Sequence, residues 1–314
     1  MWKDKRVAVL LGGPSTERDV SLRSGAACAA ALRRKAYDVV EIDVGWDLAS
    51  RLVDERIDVV FNILHGKYGE DGCVQGICEL LRIPYTGSGV LASAAAMDKV
   101  ATKAILAAES LPVAPHRILT HGARFEQIAD AFPLPWVVKP ATEGSSVGIS
   151  IVTRRDAFAV ALSKALAYDR RVMVEPYIKG REMSVGVLDA RALGIVEIIP
   201  KSVEGEEISF YDYTHKYTAG MTEYVTSPEN FDPAAKQRAY ELAERACTAL
   251  GVEGGARVDF IYSEAGEFVV IEINTLPGMT ELSLLPMTAR DGAGLSFDDL
   301  VEKMLAGARL KMGQ

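Results

Sequence analysis

The stretch WVVKPATEGSSVGISIV, residues 136–152, decides the fold of this chain. Within it, residues 144–148 match the G-x-S-x-G elbow, in which a hydrolase holds its nucleophilic serine between a strand and a helix. Here branched apolar residues lie on both sides of the loop, which predicts two strands of a hairpin with a glycine-rich tip. Backbone N–H groups, the hydroxyls of Ser145 and Ser146 and the charge of Lys139 are suited to phosphate. We interpret the loop as phosphate-binding, with a nucleophilic serine or a plain flexible turn as alternatives.

The composition is that of a soluble globular protein. At 314 residues the chain is long enough for two or three domains of roughly 150 residues or less each. A net charge of -8 argues against non-specific binding to nucleic acid. No apolar stretch approaches the roughly 18 residues of a membrane span, and the start MWKDKRVAVLLGG is typical of a strand rather than a signal sequence. The four cysteines show no CxxC spacing. We therefore expect a cytoplasmic protein with reduced thiols and no nucleic-acid or membrane partner.

Strands and helices alternate along the first third of the chain. The runs RVAVLL, VVEID and IDVVFNIL are mainly apolar, which is typical of a parallel sheet covered on both faces by helices. Ligands of such sheets bind at the carboxyl ends of the strands, where the loops GGPSTERDVS and HGKYGEDG lie. Further along, a helix is predicted over 233–250, and the long irregular stretch 201–224 is predicted to be a binding loop or lid.

Two common nucleotide motifs can be excluded or set aside. The Gly66-Lys67 pair is followed by Tyr68 rather than Ser or Thr, so a Walker P-loop is absent. GSGVLA, residues 87–92, fits G-x-G-x-x-A but does not follow the first strand of a βαβ unit. We interpret it as a tight turn before a helix.

The hairpin near the carboxyl end carries the strongest local chemistry. ARVDFIY and EFVVIEIN are separated by the turn SEAG. Because strand side chains alternate, Arg257 and Asp259 share one face, as do Glu272 and Asn274, and pairing of the strands can bring them together. Their oxygens are those that Mg²⁺ prefers, while a salt bridge on a solvated sheet is the alternative. TLPGMTELS follows, and its Pro-Gly turn would present backbone N–H groups and Ser283 to a substrate.

Taken together and in order, the motifs resemble the D-alanine–D-alanine ligase family of ATP-grasp enzymes. The similarity covers nearly the whole chain and rests on LLGGPSTERDVS, HGKYGEDG, PYTGSGVLASAAAMDK, KPATEGSSVG, EPYIKGREMSV, FYDYTHKY, GARVDF and EINTLPGMTELS. It implies an α/β, three-domain ATP-grasp fold. The expected domains are an N-terminal parallel-sheet (pre-ATP-grasp) domain at 1–96, a small lid domain at 97–182 and a C-terminal ATP-grasp domain at 183–314.

The resemblance also assigns residues to the cofactors, which are ATP and two Mg²⁺ (or Mn²⁺) ions. Lysines would hold the phosphates, backbone groups would recognise adenine and Glu182 would bind the ribose. The implied ATP-binding residues are Lys99, Lys139, Glu175, Tyr177, Ile178, Glu182 and Lys216. The implied metal ligands are Asp259, Glu272 and Asn274.

For the amino-acid substrates, the resemblance implies that Glu17 binds the ammonium of the first D-alanine. Glu17, Ser145 and Tyr217 would form a hydrogen-bonded network that closes the loop over the site. Arg257 and the Gly278 N–H would stabilise an oxyanion. The second carboxylate would bind Ser283 and the Leu284 backbone, and His65 would orient the site unless it is a buried structural histidine.

The implied reaction is the ATP-dependent joining of two D-alanine molecules through an acyl phosphate, for peptidoglycan synthesis, by a homodimer. Two other classes of function stay open at this point. An ATP-grasp ligase for another amino acid would differ at Glu17, Tyr217 and Ser283, and a non-catalytic nucleotide-binding protein would lack the metal ligands.

Overall fold

The computed structural model describes residues 2–144, 147–201, 221–226, 231–280 and 283–312. Its first sheet is parallel, with the strand order β2-β1-β3. The strands are Arg6–Leu11 (β1), Asp38–Asp43 (β2) and Val59–Asn62 (β3), and the helices of this part are Arg18–Arg34 (α1), Leu48–Asp54 (α2), Cys73–Leu81 (α3) and Val90–Met97 (α4). Val7 and Val9 face one apolar core, and Ala8 and Leu10 face another. The parallel sheet covered on both faces, predicted from these apolar runs, is therefore confirmed.

The second sheet is antiparallel and contains the strands on both sides of the glycine-serine loop. Its strand order is β4-β7-β5-β6, and its strands are Arg117–Leu119 (β4), Trp136–Pro140 (β5), Ser150–Val152 (β6) and Val172–Pro176 (β7). Trp136 pairs with Val152 and Val138 with Ser150, so a strand follows the glycine-serine loop. The predicted hairpin is confirmed, and the strand–helix context of a hydrolase elbow is absent. Trp136 anchors the core of this unit and is 1% exposed.

Three helices and a short 3₁₀ turn accompany this sheet in the chain. They are Lys99–Ala108 (α5), Glu126–Ala129 (α6), the 3₁₀ turn Arg155–Ala157 and Phe158–Leu166 (α7). Helix α5 begins after Asp98, whose carboxylate accepts hydrogen bonds from Val100 N and Ala101 N at 2.9 and 3.2 Å, a favourable N-cap. Leu106 of α5 packs into the core of the third sheet.

The third sheet is antiparallel, with the order β10-β9-β8-β11-β12. Its strands are Gly180–Leu188 (β8), Arg191–Pro200 (β9), Thr222–Thr226 (β10), Gly255–Ser263 (β11) and Phe268–Asn274 (β12). The helix Pro233–Leu250 (α8) lies between β10 and β11 in the chain, and the helices Leu284–Ala293 (α9) and Phe297–Ala306 (α10) follow β12. The hairpin of β11 and β12 is confirmed. Of the stretch 201–224, predicted to be irregular, residues 202–220 lie outside the described residues. The prediction was wrong for 222–224, which belong to β10 because they pair with β9.

Helix α8 shows how closely local signals can set an element. Asp232 accepts a hydrogen bond from Ala234 N at 3.1 Å, Pro233 occupies the first turn, and Gly251 ends the helix at φ +69. These are the favoured residues at those positions. The predicted limits of 233–250 are confirmed.

The proposed domain limits 1–96, 97–182 and 183–314 remain a prediction. Packing crosses the nominal limits, since α10 from the end of the chain packs on α1. None of the helices in the described part of the chain combines the length and apolar character that a membrane crossing requires.

Candidate active site

A cleft runs from the carboxyl ends of β1 and β3 to the space between the two antiparallel sheets. It has two halves. One is lined by residues of the second and third sheets, and the other by loops of the first sheet together with the segment that follows β12. Both halves are lined by Lys99, Glu143 and Glu272. The predicted nucleotide and substrate residues that the structure describes therefore line one connected cleft.

In the half between the antiparallel sheets, a buried carboxylate lies between two buried lysines. Glu175 Oε2 is 2.7 Å from Lys139 Nζ, and Glu175 Oε1 is 2.5 Å from Lys103 Nζ. All three side chains are almost completely buried. Burial alone would raise the pKa of Glu175, but Lys139 and Lys103 outweigh it and lower the pKa to about 2. Glu175 is therefore ionised at neutral pH and can only accept hydrogen bonds.

Sequence analysis missed Lys103. It lies four residues after Lys99 on α5, so the two side chains lie on the same side of the helix, and that spacing was the available signal. Burial lowers the pKa of Lys103, and the neighbouring charges of Lys139 and Lys99 lower it further, against the effect of Glu175. The lysines here outnumber the carboxylate between them. Ammonium groups grouped in this way are suited to the oxygens of a polyanionic ligand.

Lys99 opens helix α5, where a lysine is unfavourable because the helix dipole is positive at that end. Its ammonium donates to the carbonyl oxygen of Glu143 at 2.5 Å and lies 3.6 Å from Glu272 Oε2. The helix dipole costs stability at this position, although the Glu143 carbonyl and the Glu272 carboxylate offset part of the cost of burying the charge. Such a cost is expected at a site that binds an anion.

The residues predicted to contact adenine and ribose line the same half of the cleft. The Tyr177 N–H donates to the Pro135 carbonyl at 2.9 Å, so this backbone donor is engaged within the protein. Glu182 lies on β8 opposite Ile261 of β11. The contacts of Tyr177, Ile178 and Glu182 with a nucleotide stay predictions.

The hairpin of β11 and β12 aligns the predicted metal ligands. Asp259 pairs in register with Glu272, and Arg257 with Asn274. Arg257 donates two hydrogen bonds to Asp259, both at 2.8 Å, and Ser184 Oγ donates to Asp259 Oδ1 at 2.6 Å. A salt bridge is thus present, but it is largely buried, whereas the alternative considered from sequence was a salt bridge on a solvated sheet face.

The donor set on the two strands suits a divalent cation. Two carboxylates and an amide oxygen on adjacent strands are suitable ligands for Mg²⁺, and a carboxylate can accept about four contacts, so the bonds to Asp259 do not fill it. Within the described ranges no cluster of three or more His, Cys, Asp or Glu side chains has metal-binding geometry. Since Asn is outside that set of residue types, the metal site stays a prediction that the residues present fit.

In the other half of the cleft, glycines and a helix start place Glu17. The chain leaves β1 through Gly12 and Gly13 at φ +70 and +81, a conformation that favours glycine, and Glu17 is the N-cap residue of α1. A side-chain carbon on Gly66 or on Gly144 would lie only 3.1 or 3.2 Å from Glu17 Oε2. The carboxylate therefore lies where the loops after β3 and β5 approach each other.

His65 follows β3 and is buried in this half of the cleft. Its Nδ1 lies 3.2 Å from Glu70 Oε1 and its Nε2 lies 3.4 Å from Ser24 Oγ, which also accepts from Met279 N at 3.0 Å. Burial raises the pKa of Glu70, Glu17 adds to that effect and His65 opposes it. His65 is thus fixed by partners and lines the cleft, while its role toward substrate stays a prediction.

Ser283 and Leu284 form the start of helix α9 beside the same cavity. The Ser283 hydroxyl accepts from Thr280 N at 3.1 Å and lies 2.9 Å from Thr280 Oγ1. A helix N-terminus presents N–H groups without partners in the helix, which favours an anion. Gly278 lies close by, since a side-chain carbon on it would be 3.0 Å from Ser283 Oγ. Ser145, Lys216 and Tyr217 lie outside the described residues, so their roles stay predictions.

Two antiparallel sheets that enclose a lysine-lined cleft, beside a parallel-sheet domain, define an ATP-grasp protein. Comparison with known families agrees in detail. Residues 105–306 match the model of the D-ala D-ala ligase C-terminus, and residues 43–88 match that of the D-ala D-ala ligase N-terminus. The chain belongs to the D-alanine–D-alanine ligase family, which confirms the resemblance and the fold predicted from sequence.

Relatives and solved structures support the same assignment. The chain is 49% identical over 312 residues to the D-alanine–D-alanine ligase of Geotalea uraniireducens (strain Rf4), covering 99% of this chain and 98% of that protein. It is similar in structure to D-alanine–D-alanine ligase from Bacillus anthracis complexed with ATP, with a TM-score of 0.82, 32% identity and coverage of 96% and 97%. VanG D-Ala:D-Ser ligase from Enterococcus faecalis is also similar, with a TM-score of 0.80, 30% identity and coverage of 96% and 98%.

Proposed function

We propose that the protein uses ATP to join two D-alanine molecules into D-alanyl-D-alanine for peptidoglycan synthesis. The observation that carries this proposal is the connected cleft, in which the nucleotide half and the amino-acid half meet at Lys99, Glu143 and Glu272. A terminal phosphate at that junction is within reach of an amino-acid carboxylate from the other half. The activity is the one for which the curated relatives are named, and the B. anthracis complex supports ATP as the nucleotide.

ATP binds between the two antiparallel sheets in this proposal. The phosphates meet the ammonium groups of Lys139, Lys103 and Lys99, and Lys216 reaches the γ-phosphate. The ionised Glu175 accepts hydrogen bonds, which suits an exocyclic amine of the purine. Glu182 binds the ribose hydroxyls.

The first chemical step activates a carboxylate. One D-alanine is held through its ammonium by Glu17, and a carboxylate oxygen attacks the γ-phosphorus while the bond to the ADP oxygen breaks. The products are ADP and D-alanyl phosphate. Lys99 reduces the charge that develops at the transferring phosphoryl group.

The second step forms the peptide bond. The amine of the second D-alanine attacks the carbonyl carbon, loses a proton and displaces phosphate. Its carboxylate binds at the N-terminus of α9 through Ser283 and the Leu284 N–H. Arg257 and the Gly278 N–H stabilise the oxyanion, and the network of Glu17, Ser145 and Tyr217 excludes water that would hydrolyse the acyl phosphate. His65 orients the amino-acid half.

Metal ions, homodimer assembly and location complete the proposal. Asp259, Glu272 and Asn274 would hold two Mg²⁺ (or Mn²⁺) ions, which when bound neutralise charge on the phosphates. We expect a homodimer in the cytoplasm, as the family resemblance implies.

The direct test incubates the purified protein with ATP and D-alanine, and measures ADP, phosphate and dipeptide together. We expect equal amounts of all three, with no ADP formed without D-alanine. L-Alanine and D-serine serve as alternative substrates in separate reactions. ADP release without dipeptide from D-alanine, or a preference for another amino acid, would reject the assignment.

A further inference from the structure

One lysine in the loop after β3, residues 65–72, has no role in the function described so far. Lys67 Nζ lies 2.5 Å from Glu143 Oε1. Lys67 belongs to a loop of the parallel sheet, whereas Glu143 follows β5 of the second sheet. This ion pair therefore joins the loop after β3 of the parallel sheet to a residue of the second sheet's unit that lines both halves of the cleft.

Glu143 is held at both ends. Its carbonyl oxygen accepts from Lys99 Nζ at 2.5 Å, while its carboxylate, 11% exposed, binds Lys67. The residue before it, Thr142, donates to Asp169 Oδ2 at 2.7 Å. The position of the Glu143 backbone thus influences the position of Lys99, a lysine proposed to bind phosphate. The Glu143 carboxylate, through its ion pair with Lys67, connects that backbone to the parallel-sheet unit.

Gly144, the residue after Glu143, lines the amino-acid half of the cleft. Gly144 lies so close to Glu17 that an added side-chain carbon would be 3.2 Å from Glu17 Oε2. A shift of residues 143 and 144 would therefore disturb Lys99 and the space beside Glu17 together.

We propose that Lys67 is a positioning residue, which acts through Glu143 to hold the loop after β5 against both halves of the cleft. The proposal rests on the proposed function for the identity of the ligands. Lys67 is 52% exposed, so part of the attraction is screened by salt, while the buried carboxylate keeps the pair stronger than an exposed one. The side-chain hydrogen bond to Glu143 also raises the pKa of Lys67, as expected for an ammonium that gains a carboxylate partner.

The test compares Lys67→Met, Glu143→Gln and the double variant with the wild-type protein. We expect Lys67→Met to raise the KM for ATP and the KM for the first D-alanine roughly fivefold, with kcat within about twofold, because saturating substrates restore the loop position. Glu143→Gln should do the same, and the double variant should be no worse than either single variant. Lys67→Arg should retain wild-type KM values, since it keeps the ion pair.

Lys5→Met is a matched control. Lys5 is 53% exposed and pairs with Asp58 at 3.3 Å on the surface of the same parallel-sheet unit. It should leave both KM values unchanged. Raising NaCl from about 50 mM to about 500 mM should raise the KM for ATP more in the wild-type protein than in Lys67→Met, a difference that a purely structural role would not produce.

Calorimetry with adenylyl imidodiphosphate, a non-hydrolysable ATP analogue, measures triphosphate binding without ligation, so it reports on Lys67 even if the wild-type protein forms no dipeptide. Lys67→Met should weaken binding of this analogue as well. Unchanged affinity for the analogue together with unchanged KM values in Lys67→Met would overturn the proposal. Effects on KM that multiply in the double variant would also overturn it, because Lys67 and Glu143 would then act independently. A Glu143→Gln variant that lowers KM and rescues Lys67→Met would overturn it too, because Lys67 would then only neutralise an unfavourable charge.

Discussion

Replacing Glu175 by Gln should destabilise the protein by about 3 kcal/mol at pH 7. Gln resembles the protonated carboxyl in shape, so the cost is the preference of the folded protein for the ionised form. The pKa of Glu175 falls from its ordinary 4.5 to about 2, and a difference of that size corresponds to about 3 kcal/mol. The variant would leave Lys103 and Lys139 buried without the carboxylate that lies 2.5 and 2.7 Å from them.

The lowered pKa of Glu175 also predicts how the destabilisation changes with pH. Because the folded pKa is lowered, the stabilisation is fully present above the unfolded value and is lost as pH falls through the folded value. The difference in unfolding free energy between wild type and Glu175→Gln should stay constant from about pH 7 to about pH 5.5. It should shrink to less than half by about pH 3.

Urea denaturation followed by circular dichroism measures this difference at each pH. Glu126→Gln is the control, because Glu126 and its partner Arg155 are both more than half exposed and such pairs contribute little. A Glu175→Gln variant as stable as wild type at pH 7, or a difference that does not change with pH, would refute the reasoning from the buried charges.

Three further variants test the chemistry. Glu272→Gln should lower turnover by about 10² or more while the protein stays folded, because a carboxylate is lost from the proposed metal site; wild-type turnover at saturating Mg²⁺ would remove Glu272 from that site. Ser146→Ala should retain substantial activity, and fluorophosphonates should leave the wild-type protein unlabelled, since a strand follows the G-x-S-x-G match; labelling of Ser146 would revive the hydrolase interpretation. Ser283→Ala should raise the KM for the second D-alanine roughly tenfold with little effect on the KM for ATP, as expected for the loss of a hydrogen bond to a charged group; an equal change in both would count against a role at the second carboxylate.

Sequence patterns predicted the elements well where local chemistry and burial agree. Helix α8 has a cap, a first-turn proline and a terminal glycine, and its predicted limits are those observed. The hairpin around the glycine-serine loop followed from the apolar residues on both of its sides. By contrast, Thr222–Thr226 has only a weak alternation, and its strand depends on pairing with β9, a long-range contact that a local pattern does not contain.

The candidate active site also combines features that the sequence predicts with contacts that depend on long-range packing. The order of the motifs was enough to select residues that line the cleft, and these residues lie within strands, in loops that follow strands and at helix starts. The partners of those residues were not predictable. The ion pairs that Lys103 and Lys67 form with Glu175 and Glu143 join residues more than 70 positions apart, and they depend on how the sheets pack. The contact between Arg257 and Asp259 was accessible from sequence by contrast, because residues two apart on a strand share one face.

The choice between an amine and a hydroxyl as the second nucleophile is the last prediction. D-Alanine must lose its ammonium proton before it can react as the neutral amine. D-Lactate instead presents a hydroxyl, which is neutral at these pH values. The acidic groups Glu17, Glu70 and Glu272 line the cleft, so an incoming ammonium is attracted and then needs to lose a proton, which becomes easier as pH rises.

We expect mainly dipeptide from a mixture of D-alanine and D-lactate at neutral to alkaline pH, even with D-lactate in excess. Tyr217→Phe, which removes a hydroxyl from the proposed network with Glu17 and Ser145, should raise the share of D-alanyl-D-lactate at some cost in rate. Mass spectrometry of the products measures both, and a wild-type protein that makes mostly depsipeptide at about pH 7.5 would show that the substrate assignment is wrong while the ATP-grasp mechanism could stand.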